Sequence, residues 1–267
     1  MKVGIVGIGS IGGKVAKELD NGKIPGIELV ALSARNKDRL ETFSKELSSP
    51  VEIGDLNSWV TGCDLVIEAS GAATVDEIVR TSISNGKDVM ILSVGALIEN
   101  ERLMKVAQEA NKRIHIPSGA IAGLDGIKAA ALSEIQEVKI INRKPPSALM
   151  GAPGADIAPV NLDSITKPYT LFSGTVAEGY RLFPANVNVA VAVSLAGIGV
   201  EKTKMEVVAD PDISVNIHEI MLDSSIGRMH LYIEGKASDE NPRTSASTPF
   251  SVLSYLRQMV STIRVGT

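Results

Sequence analysis

The chain has 267 residues and a net charge of −4, and 44% of its residues are hydrophobic, 22% are charged and 3% are aromatic. This length accommodates one large domain or two modest ones, and the composition is typical of a globular α/β protein whose core is built from Val, Ile, Leu and Ala. The negative charge and the lack of basic runs interleaved with aromatics argue against nucleic acid as a partner.

Strands and helices alternate in the first half of the chain. β-Branched runs bounded by turn residues predict strands, and apolar residues three or four apart predict helices. The strands are expected at 2–6, 27–32, 64–70, 88–93 and 113–118, and the helices at 14–19, 37–47, 75–85 and 100–112. This alternation indicates a doubly wound parallel sheet of the Rossmann type with right-handed crossovers.

Longer strands are predicted after residue 118. A helix rich in small residues is expected over 119–135, and a second, mainly antiparallel sheet over 138–146, 213–222 and 229–238. The Gly-, Pro- and Ala-rich segment 147–164 is expected to be a mobile loop of the kind that forms a lid.

The last predicted helix, 249–263, carries an apolar stripe that should pack back on the first domain. The stripe consists of Phe250, Leu253, Leu256, Val260 and Ile263. We therefore predict a Rossmann domain at 1–118, a smaller α/β substrate-binding and catalytic domain at 119–240, and a C-terminal segment at 241–267.

Cys63 is the single cysteine, so neither an intrachain disulfide nor a four-thiolate metal site can form, and no metal is expected. This cysteine usage favours a reducing, cytoplasmic location. The longest apolar run, 187–200, has about 14 residues and falls short of the roughly 20 that span a bilayer. No membrane partner is therefore expected.

The residues GIGSIG at 7–12 form a G-x-G-x-x-G motif between a predicted strand and a predicted helix. Gly7 permits the tight turn, Gly9 lets the backbone approach a pyrophosphate, and Gly12 lets the helix pack on the strand. The N-terminus of the following helix then faces the anion, and Ser10 and Ile11 of the turn are included in the predicted cofactor site. This placement predicts a dinucleotide site.

The end of the second predicted strand bears on which dinucleotide binds. An Asp or Glu there would hold the ribose hydroxyls of NAD, but the sequence has SARN at 33–36. Arg35 with Ser33 could hold a 2′-phosphate, because a guanidinium pairs well with phosphate. The alternative is that Arg35 is a solvated surface residue. We predict that NAD and NADP are both accepted and leave a preference for NADP open.

Two later turns, at 69–73 and 93–97, follow predicted strands at the edge where an open parallel sheet forms its ligand crevice. Their small residues would let the nicotinamide half of the cofactor lie close to the backbone. Ala69, Ser70 and Gly71 are therefore included in the predicted cofactor site. Ordinary strand-to-helix loops are an equally available interpretation.

A hydride-transfer enzyme also needs a group that handles a proton. His115 and His230 lie inside predicted strands and are interpreted as structural. His218 has polar neighbours, Asn216 and Glu219, that could fix its tautomer, and its ordinary pKa near neutrality suits proton transfer. From the residues alone, a catalytic and a structural role for His218 stay equally open.

Five stretches in the second half follow the order of one family and extend across most of that half. They are PSGAIAGLDGI (117–127), RKPP (143–146), AEGYRLFPANVNVA (177–190), ADPDISVNIHEI (209–220) and ENPRTSAST (240–248). On these stretches the chain resembles the L-aspartate dehydrogenases of bacteria and archaea. The resemblance implies a Rossmann domain followed by an α/β domain. It also implies oxidation of L-aspartate by NAD or NADP to iminoaspartate, which hydrolyses to oxaloacetate and ammonia or passes toward quinolinate in NAD biosynthesis.

Matched position by position, the resemblance assigns the family's active-site histidine to His218. It assigns cofactor contacts to Ala120, with Ala122 nearby, and to Asn188. It also implies a helix over 187–200, where the alternation of Val and Ala by itself predicts a strand.

In the mechanism that the resemblance supports, His218 handles a proton while the α-hydrogen of aspartate leaves as hydride, and it later helps to activate the water that attacks the imine. The two substrate carboxylates need cations or hydrogen-bond donors. The candidates, each of which could also be a surface residue, are Arg143, Lys144, Asn216, Arg243 and Thr244.

Two other functions stay open at this point. One is a related two-domain dehydrogenase or reductase of the homoserine dehydrogenase or dihydrodipicolinate reductase type, and the other is an NADP-binding sensor without catalysis. A homodimer is expected, because second domains of this kind often pair across a twofold axis.

Overall fold

The computed structural model describes residues 1–100, 102–184, 187–238 and 244–266. The chain divides into two units, of which the first comprises Met1–Pro117 and Thr248–Val265 and the second includes Ser118–Ser247. The first division lies one residue before the predicted boundary at 118. The functions assigned to the segments stay predictions.

The first unit alternates strands with helices along the chain. Its elements are β1 Lys2–Val6, α1 Ser10–Asp20, β2 Glu28–Ser33, α2 Lys37–Ser44, β3 Glu52–Ile53, α3 Leu56–Trp59, β4 Leu65–Glu68, α4 Val75–Ser84, β5 Asp88–Ile91, α5 Ala96–Glu99, α6 Arg102–Glu109 and β6 Ile114–His115. The six strands are parallel in the order β3-β2-β1-β4-β5-β6. This is the doubly wound Rossmann order, and it confirms the predicted fold class.

The second unit contains a separate sheet. Its elements are α7 Leu124–Ala130, β7 Ile135–Lys144, α8 Pro153–Asp156, β8 Tyr169–Thr175, α9 Val176–Leu182, α10 Asn188–Ala196, β9 Lys204–Ala209, β10 Asn216–Ser224 and β11 Gly227–Gly235. The five strands lie in the order β11-β10-β7-β9-β8, and only the β7–β9 pair is parallel. The prediction of a mainly antiparallel second sheet is thereby confirmed.

Alternate residues of β7 and β10 face the core of the second unit, because side chains alternate between the two faces of a strand. Val138 and Ile140 of β7 lie opposite Leu222 and Ile220 of β10, and all four are buried. Helix α10 packs on this face, and α7 packs against α10. The opposite face carries the half-buried and exposed residues of the same strands.

The segment 187–200 is helical over α10, as the resemblance implies, so the strand predicted from its alternating Val and Ala is wrong. The five residues 190–194 are all buried, which removes the polar face that would have revealed a helical period. Neither α10 nor any other helix in the described ranges combines the length and hydrophobicity that a membrane span requires.

The small-residue segment 119–135 is helical only over α7. Gly119 and Gly123 both have positive φ, at +65° and +80°, and this left-handed backbone prevents the helix from starting earlier. The predicted loop at 147–164 contains α8 and two short 3₁₀ turns, at Pro146–Ala148 and Leu162–Ser164. Leu149 and Leu162 are buried, so both ends of this segment are anchored.

The last helix, α11 Thr248–Val260, shares a core with β1 and α1 of the first unit. Its buried residues are Pro249, Val252, Leu253 and Leu256. The predicted stripe is therefore partly wrong: Phe250 and Val260 are 48% and 37% exposed, and Ile263 lies beyond the end of the helix and is 79% exposed. The buried stripe is rotated around the helix relative to the predicted one, so that Val252 faces inward where Phe250 was predicted to do so.

Candidate active site

The glycine motif of the first unit lies between β1 and α1. Gly7 has φ +103°, and a Cβ built on it would lie 2.8 Å from the Cα of Ser70 and closer to the carbonyl group of Ala69. A Cβ on Gly12 would collide with the carbonyl oxygen of Gly7. Gly9 differs, because no heavy atom lies within 4 Å of a Cβ built on it. Gly7 and Gly12 are therefore required by packing, whereas Gly9 borders open space.

This open space fits a pyrophosphate. Gly9 is the N-cap of α1, no side chain caps the helix, and its first turn carries no acidic residue. The first amides of the helix, beginning with Ser10 and Ile11, are not used within the helix and can serve an anion. Because β1 and β4 lie side by side where the strand order reverses, the motif also sits at the crevice that such sheets use for dinucleotides.

A buried carboxylate, which the sequence analysis did not single out, fixes the two turns next to this crevice. Glu68 at the end of β4 is fully buried and accepts hydrogen bonds from the amides of Ser70 and Gly71, both at 2.8 Å. It also accepts from the amide and hydroxyl of Ser93, at 2.9 and 3.0 Å. The Ser70 and Gly71 amides therefore donate inward and cannot donate to a cofactor. Ala69, which packs beside Gly12, stays the best placed of the three predicted residues.

The two residues at the end of β2 that were predicted to hold a 2′-phosphate have different surroundings. Ser33 is buried, and its hydroxyl accepts from Trp59 Nε1 at 2.8 Å and donates to the carbonyl of Gly54. This bonding argues against Ser33 as a phosphate ligand. Arg35 is exposed. Arg39, which the sequence analysis did not consider, places its guanidinium 3.4 Å from the carbonyl oxygen of Ile8 within the glycine motif.

In the second unit, the buried face of the sheet changes from apolar to polar at one end. Beyond the Ile140–Ile220 pair, Asn142 lies opposite His218, and the same register brings Lys144 opposite Asn216. All four polar side chains are buried. Buried polar groups destabilise a fold unless they are paired, so two consecutive polar rows on a core face mark a candidate functional site.

The imidazole of His218 is held by Asn142. Nδ1 of His218 lies 2.7 Å from Oδ1 of Asn142, and the two residues are 5% and 0% exposed. Because an amide oxygen can only accept, Nδ1 carries the proton and Nε2 keeps its lone pair. Burial, and then the positive charge of Lys144, lower the pKa of His218 to about 3. The ring is therefore a neutral base in the unliganded protein.

Lys144 is the charged member of this cluster. Burial lowers its pKa to about 8, because the low-dielectric surroundings disfavour the ammonium form. A lysine in this range exchanges its proton close to neutral pH, and an anionic ligand would restore its charged form.

The tautomer partner proposed from the sequence is wrong. Glu219 points to the opposite face of β10, where its carboxylate lies 2.9 Å from Nε2 of His230. Asn216 shares the face of His218, but the ring donates its hydrogen bond to the side-chain oxygen of Asn142 on the neighbouring strand. A cross-strand partner of this kind is not adjacent in sequence.

The predicted substrate ligands are likewise divided between the two faces of the second sheet. Lys144 and Asn216 share the buried polar face, whereas Arg143 lies on the other face and its Nη1 is paired with the Asp210 carboxylate at 3.0 Å. The carbonyl of Thr244 accepts a hydrogen bond from the amide of Ser238. Arg243 lies outside the described residues.

The three residues that the resemblance assigned to the cofactor belong to the second unit. Asn188 is exposed and is the first residue of α10, next to the N-cap Val187. Ala120 is half-buried in the turn after Gly119, and Ala122 is exposed. Their contact with a cofactor stays a prediction. No group of potential metal ligands occurs among the described residues.

Two-domain dehydrogenases combine a Rossmann unit with a second unit that has its own sheet, and this chain has both units. Its residues 7–117 match the family described as homoserine dehydrogenase, NAD binding domain, and its residues 125–259 match aspartate dehydrogenase, C-terminal. The chain belongs to the aspartate dehydrogenase family, and its cofactor is a pyridine nucleotide.

Relatives from distant organisms agree with this assignment. The chain is 39% identical to an L-aspartate dehydrogenase of Methanosarcina barkeri over 100% of both chains. It is 40% identical to L-aspartate dehydrogenase 3 of Bordetella bronchiseptica over 99% of this chain and 97% of the relative. Among solved structures, the aspartate dehydrogenase of Thermotoga maritima superposes with a TM-score of 0.78 at 28% identity, covering 100% of this chain and 99% of that one.

Proposed function

We propose that this protein oxidises L-aspartate to iminoaspartate with NAD or NADP, and that the imine then hydrolyses to oxaloacetate and ammonia or passes toward quinolinate. The observation that carries this proposal is the buried His218–Asn142 pair with Lys144 on the same sheet face. Its context is a chain that shares its full length with proteins named L-aspartate dehydrogenase.

A nicotinamide dinucleotide held at the glycine turn, Gly7 to Gly12, would supply the acceptor for the α-hydrogen of aspartate, which leaves as hydride. His218 takes up the proton that leaves the nitrogen as the neutral amine becomes an imine, because Nε2 has a free lone pair. A substrate carboxylate near the ring favours the imidazolium. Binding of the dianionic substrate therefore raises the proton affinity of a base that burial keeps neutral. After the imidazolium has released that proton to solvent, Nε2 is again free to take a proton from the water that attacks the imine.

Lys144 is the best candidate to hold a substrate carboxylate. It lies on the face of His218, and a carboxylate beside its Nζ would stabilise the ammonium form that burial disfavours. Asn216, in the same polar row, supplies an amide. Arg143 is a weaker candidate because its guanidinium already pairs with Asp210. Arg243 and Thr244 stay candidates on the strength of the resemblance alone.

NADP is the cofactor that we expect to be preferred, with NAD also used. The support is the absence of an acidic residue at 33–36 and the exposed guanidinium of Arg35. The guanidinium of Arg39, near the carbonyl of Ile8, adds positive charge at the same end of the motif. Ser33 does not contribute, for the reason given above.

We further propose a cytoplasmic homodimer. The support for the dimer is the open face of the second sheet, on which Tyr232 of β11 is 54% exposed. The support for the location is that the single cysteine, Cys63, is buried as a free thiol. Sedimentation or light scattering of the purified protein tests the oligomeric state.

The activity is tested by initial rates with a panel of L-amino acids and 2-oxo acids, each with NAD and NADP, followed at the absorbance band of the reduced nicotinamide. We expect L-aspartate, and oxaloacetate with ammonia in the reverse direction, to react far faster than glutamate, alanine or homoserine. A protein that binds the cofactor but oxidises none of these substrates would instead be a sensor.

The role of the histidine is tested by His218→Ala with His230→Ala as the matched control. His230 is on the adjacent strand but on the opposite, exposed face, so its loss should leave kcat unchanged. Loss of His218 should lower kcat by roughly two to four orders of magnitude while cofactor affinity persists. Near-normal turnover of His218→Ala would remove this residue from the chemistry.

A further inference from the structure

We propose that Asn142 is the positioning residue of the active site: its side-chain oxygen holds His218 as the Nδ1–H tautomer and thereby makes Nε2 the base. This inference rests on the proposed function, because it defines how His218 works in that reaction. It assigns a role to a residue that the sequence analysis passed over.

The first support is the geometry of the pair. The 2.7 Å separation between Nδ1 of His218 and Oδ1 of Asn142 is short for a hydrogen bond of this type. The residues are direct cross-strand partners on β10 and β7, and each of these strands is hydrogen-bonded on both sides. The backbone that carries the pair is therefore held in register at the centre of the sheet.

The second support is that the amide is incompletely satisfied. Nδ2 of Asn142 is buried and finds no hydrogen-bond partner within the described ranges. Apolar residues fill the equivalent positions further along the same face, at Ile140 and Val138. A buried amide with an unpaired N–H weakens the fold relative to such a residue, so its presence is best explained by the bond that its oxygen makes to His218.

The third support is the electrostatic setting. Lys144 lies on the same sheet face as His218. On the adjacent strands, Ile233 of β11 pairs with His218, and Val207 of β9 pairs with Asn142. The covering helix α10 has no ionisable side chain, whereas α7 contributes Asp125 and Lys128, and α9 contributes Glu178, Tyr180 and Arg181. Of these, Lys144 is the group whose charge acts on His218. A neutral amide acceptor fixes the tautomer without favouring the imidazolium, which a carboxylate would do.

The decisive experiment compares Asn142→Asp with Asn142→Ala. Aspartate can accept the Nδ1 proton but cannot donate one, so it keeps the tautomer and stabilises the imidazolium. We expect the acidic limb of the kcat/KM profile of Asn142→Asp to move up by about one to three pH units. Above that limb, its kcat should lie within about tenfold of the parent. Asn142→Ala should lose about ten- to a hundredfold in kcat at every pH, with little change in the KM for cofactor.

Ser224→Ala is the matched structural control. Ser224 lies on the same buried face of β10, about 20 Å along the strand from His218, and its hydroxyl donates to the carbonyl of Gly227. Its loss should reduce thermal stability without moving the pH profile. If Asn142→Asp is as inactive as Asn142→Ala and its acidic limb does not move, the proposed direction of the hydrogen bond is overturned.

A second measurement does not depend on activity. Nitrogen-15 spectra of histidine-labelled protein, assigned with His115→Gln and His230→Gln, report which ring nitrogen of His218 carries the proton. The Nδ1–H pattern is expected in the parent and in Asn142→Asp, and an Nε2–H pattern in the parent would refute the inference. If aspartate is not oxidised at all but the Nδ1–H pattern is present, the proposed reaction fails while the positioning of His218 stands.

Discussion

Replacing Gly9 and Gly12 separately with alanine distinguishes a glycine kept for ligand approach from a glycine kept for packing. At Gly9 the backbone angles, φ −70° and ψ −168°, are open to any residue, and a methyl group would meet no heavy atom within 4 Å. At Gly12 the same methyl group would collide with the carbonyl oxygen of Gly7 and lie 3.0 Å from the Cβ of Ala69. The two substitutions are chemically identical and lie three residues apart.

The structure gives different magnitudes for the two variants. At Gly9, loss of a tolerated N-cap glycine is unfavourable by up to about 1 kcal/mol, and the reduced entropy of the unfolded chain returns about 0.4–1 kcal/mol, so the net change is near zero. At Gly12, the collision with backbone destabilises by about 3 kcal/mol, and the better helix propensity of alanine offsets about 1 kcal/mol. We therefore expect Gly12→Ala to lower the Tm by roughly 4–8 °C.

The affinity for the cofactor should respond selectively to the Gly9 substitution, whereas the Tm should respond to the Gly12 substitution. In Gly9→Ala the methyl group occupies the space reserved for the pyrophosphate, so the Kd for NADPH should rise at least about tenfold, or about 1.4 kcal/mol, at unchanged Tm. Fluorescence titration gives the Kd, and thermal unfolding without cofactor gives the Tm. Wild-type affinity in Gly9→Ala would refute the assignment of this turn to the pyrophosphate, and a Tm as low as that of Gly12→Ala would refute the open-space argument.

Three further predictions follow from the same structure. Arg35→Ala should raise the KM for NADP about tenfold and leave that for NAD unchanged in paired initial-rate measurements, because only NADP carries the 2′-phosphate; equal effects on both cofactors would contradict this role. Glu68→Gln should lower the free energy of unfolding by about 2–4 kcal/mol in urea titrations, because an amide cannot accept at both positions where the buried carboxylate does. An unchanged unfolding midpoint would show that the Glu68 carboxylate does not fix the two turns. We expect the free energy of unfolding of the parent protein to rise between pH 8 and 10.5, and Lys144→Met should abolish this rise. In that window the unfolded lysine still holds the proton that the folded one has lost, so stability increases with pH by up to about 3 kcal/mol. A parallel pH dependence in parent and variant would show that Lys144 is not the group responsible.

The sequence was most informative where local pattern and tertiary role coincide. The first strand, the glycine motif and α1 follow one another within twenty residues, and the structure shows close packing at Gly7 and Gly12 and open space beside Gly9. Burial on both faces of β4 produces the continuous apolar run that predicts a core strand. The same patterns were less informative for β8, whose half-exposed residues show no clear alternation, and for α10, which is buried on every side of its middle turns.

Residues whose roles depend on partners far away in sequence could not be found in this way. Ser33 looked available for a phosphate because nothing adjacent to it indicates that Trp59 and Gly54 bind its hydroxyl. Glu68 carried a signal that could have been used, since an acidic residue at the end of an apolar strand requires buried donors. Such donors are present in the turns that contain Ser70 and Ser93.

The proposed catalytic histidine, His218, illustrates the same limit. Sequence neighbours of a strand residue project to the opposite face, so Glu219 could never have been the partner of His218 once 216–224 was recognised as a strand. Residues two apart on a strand share a face, and the other neighbours on that face come from the adjacent strand. Which residues of β7 lie next to those of β10 depends on the register, which is fixed by packing over the whole sheet. The pairing of His218 with Asn142, 76 positions earlier, depends on that register. A shift of one residue would place Arg143 or Ile141 opposite the ring, which would leave Nδ1 without the neutral acceptor on which the proposed base depends.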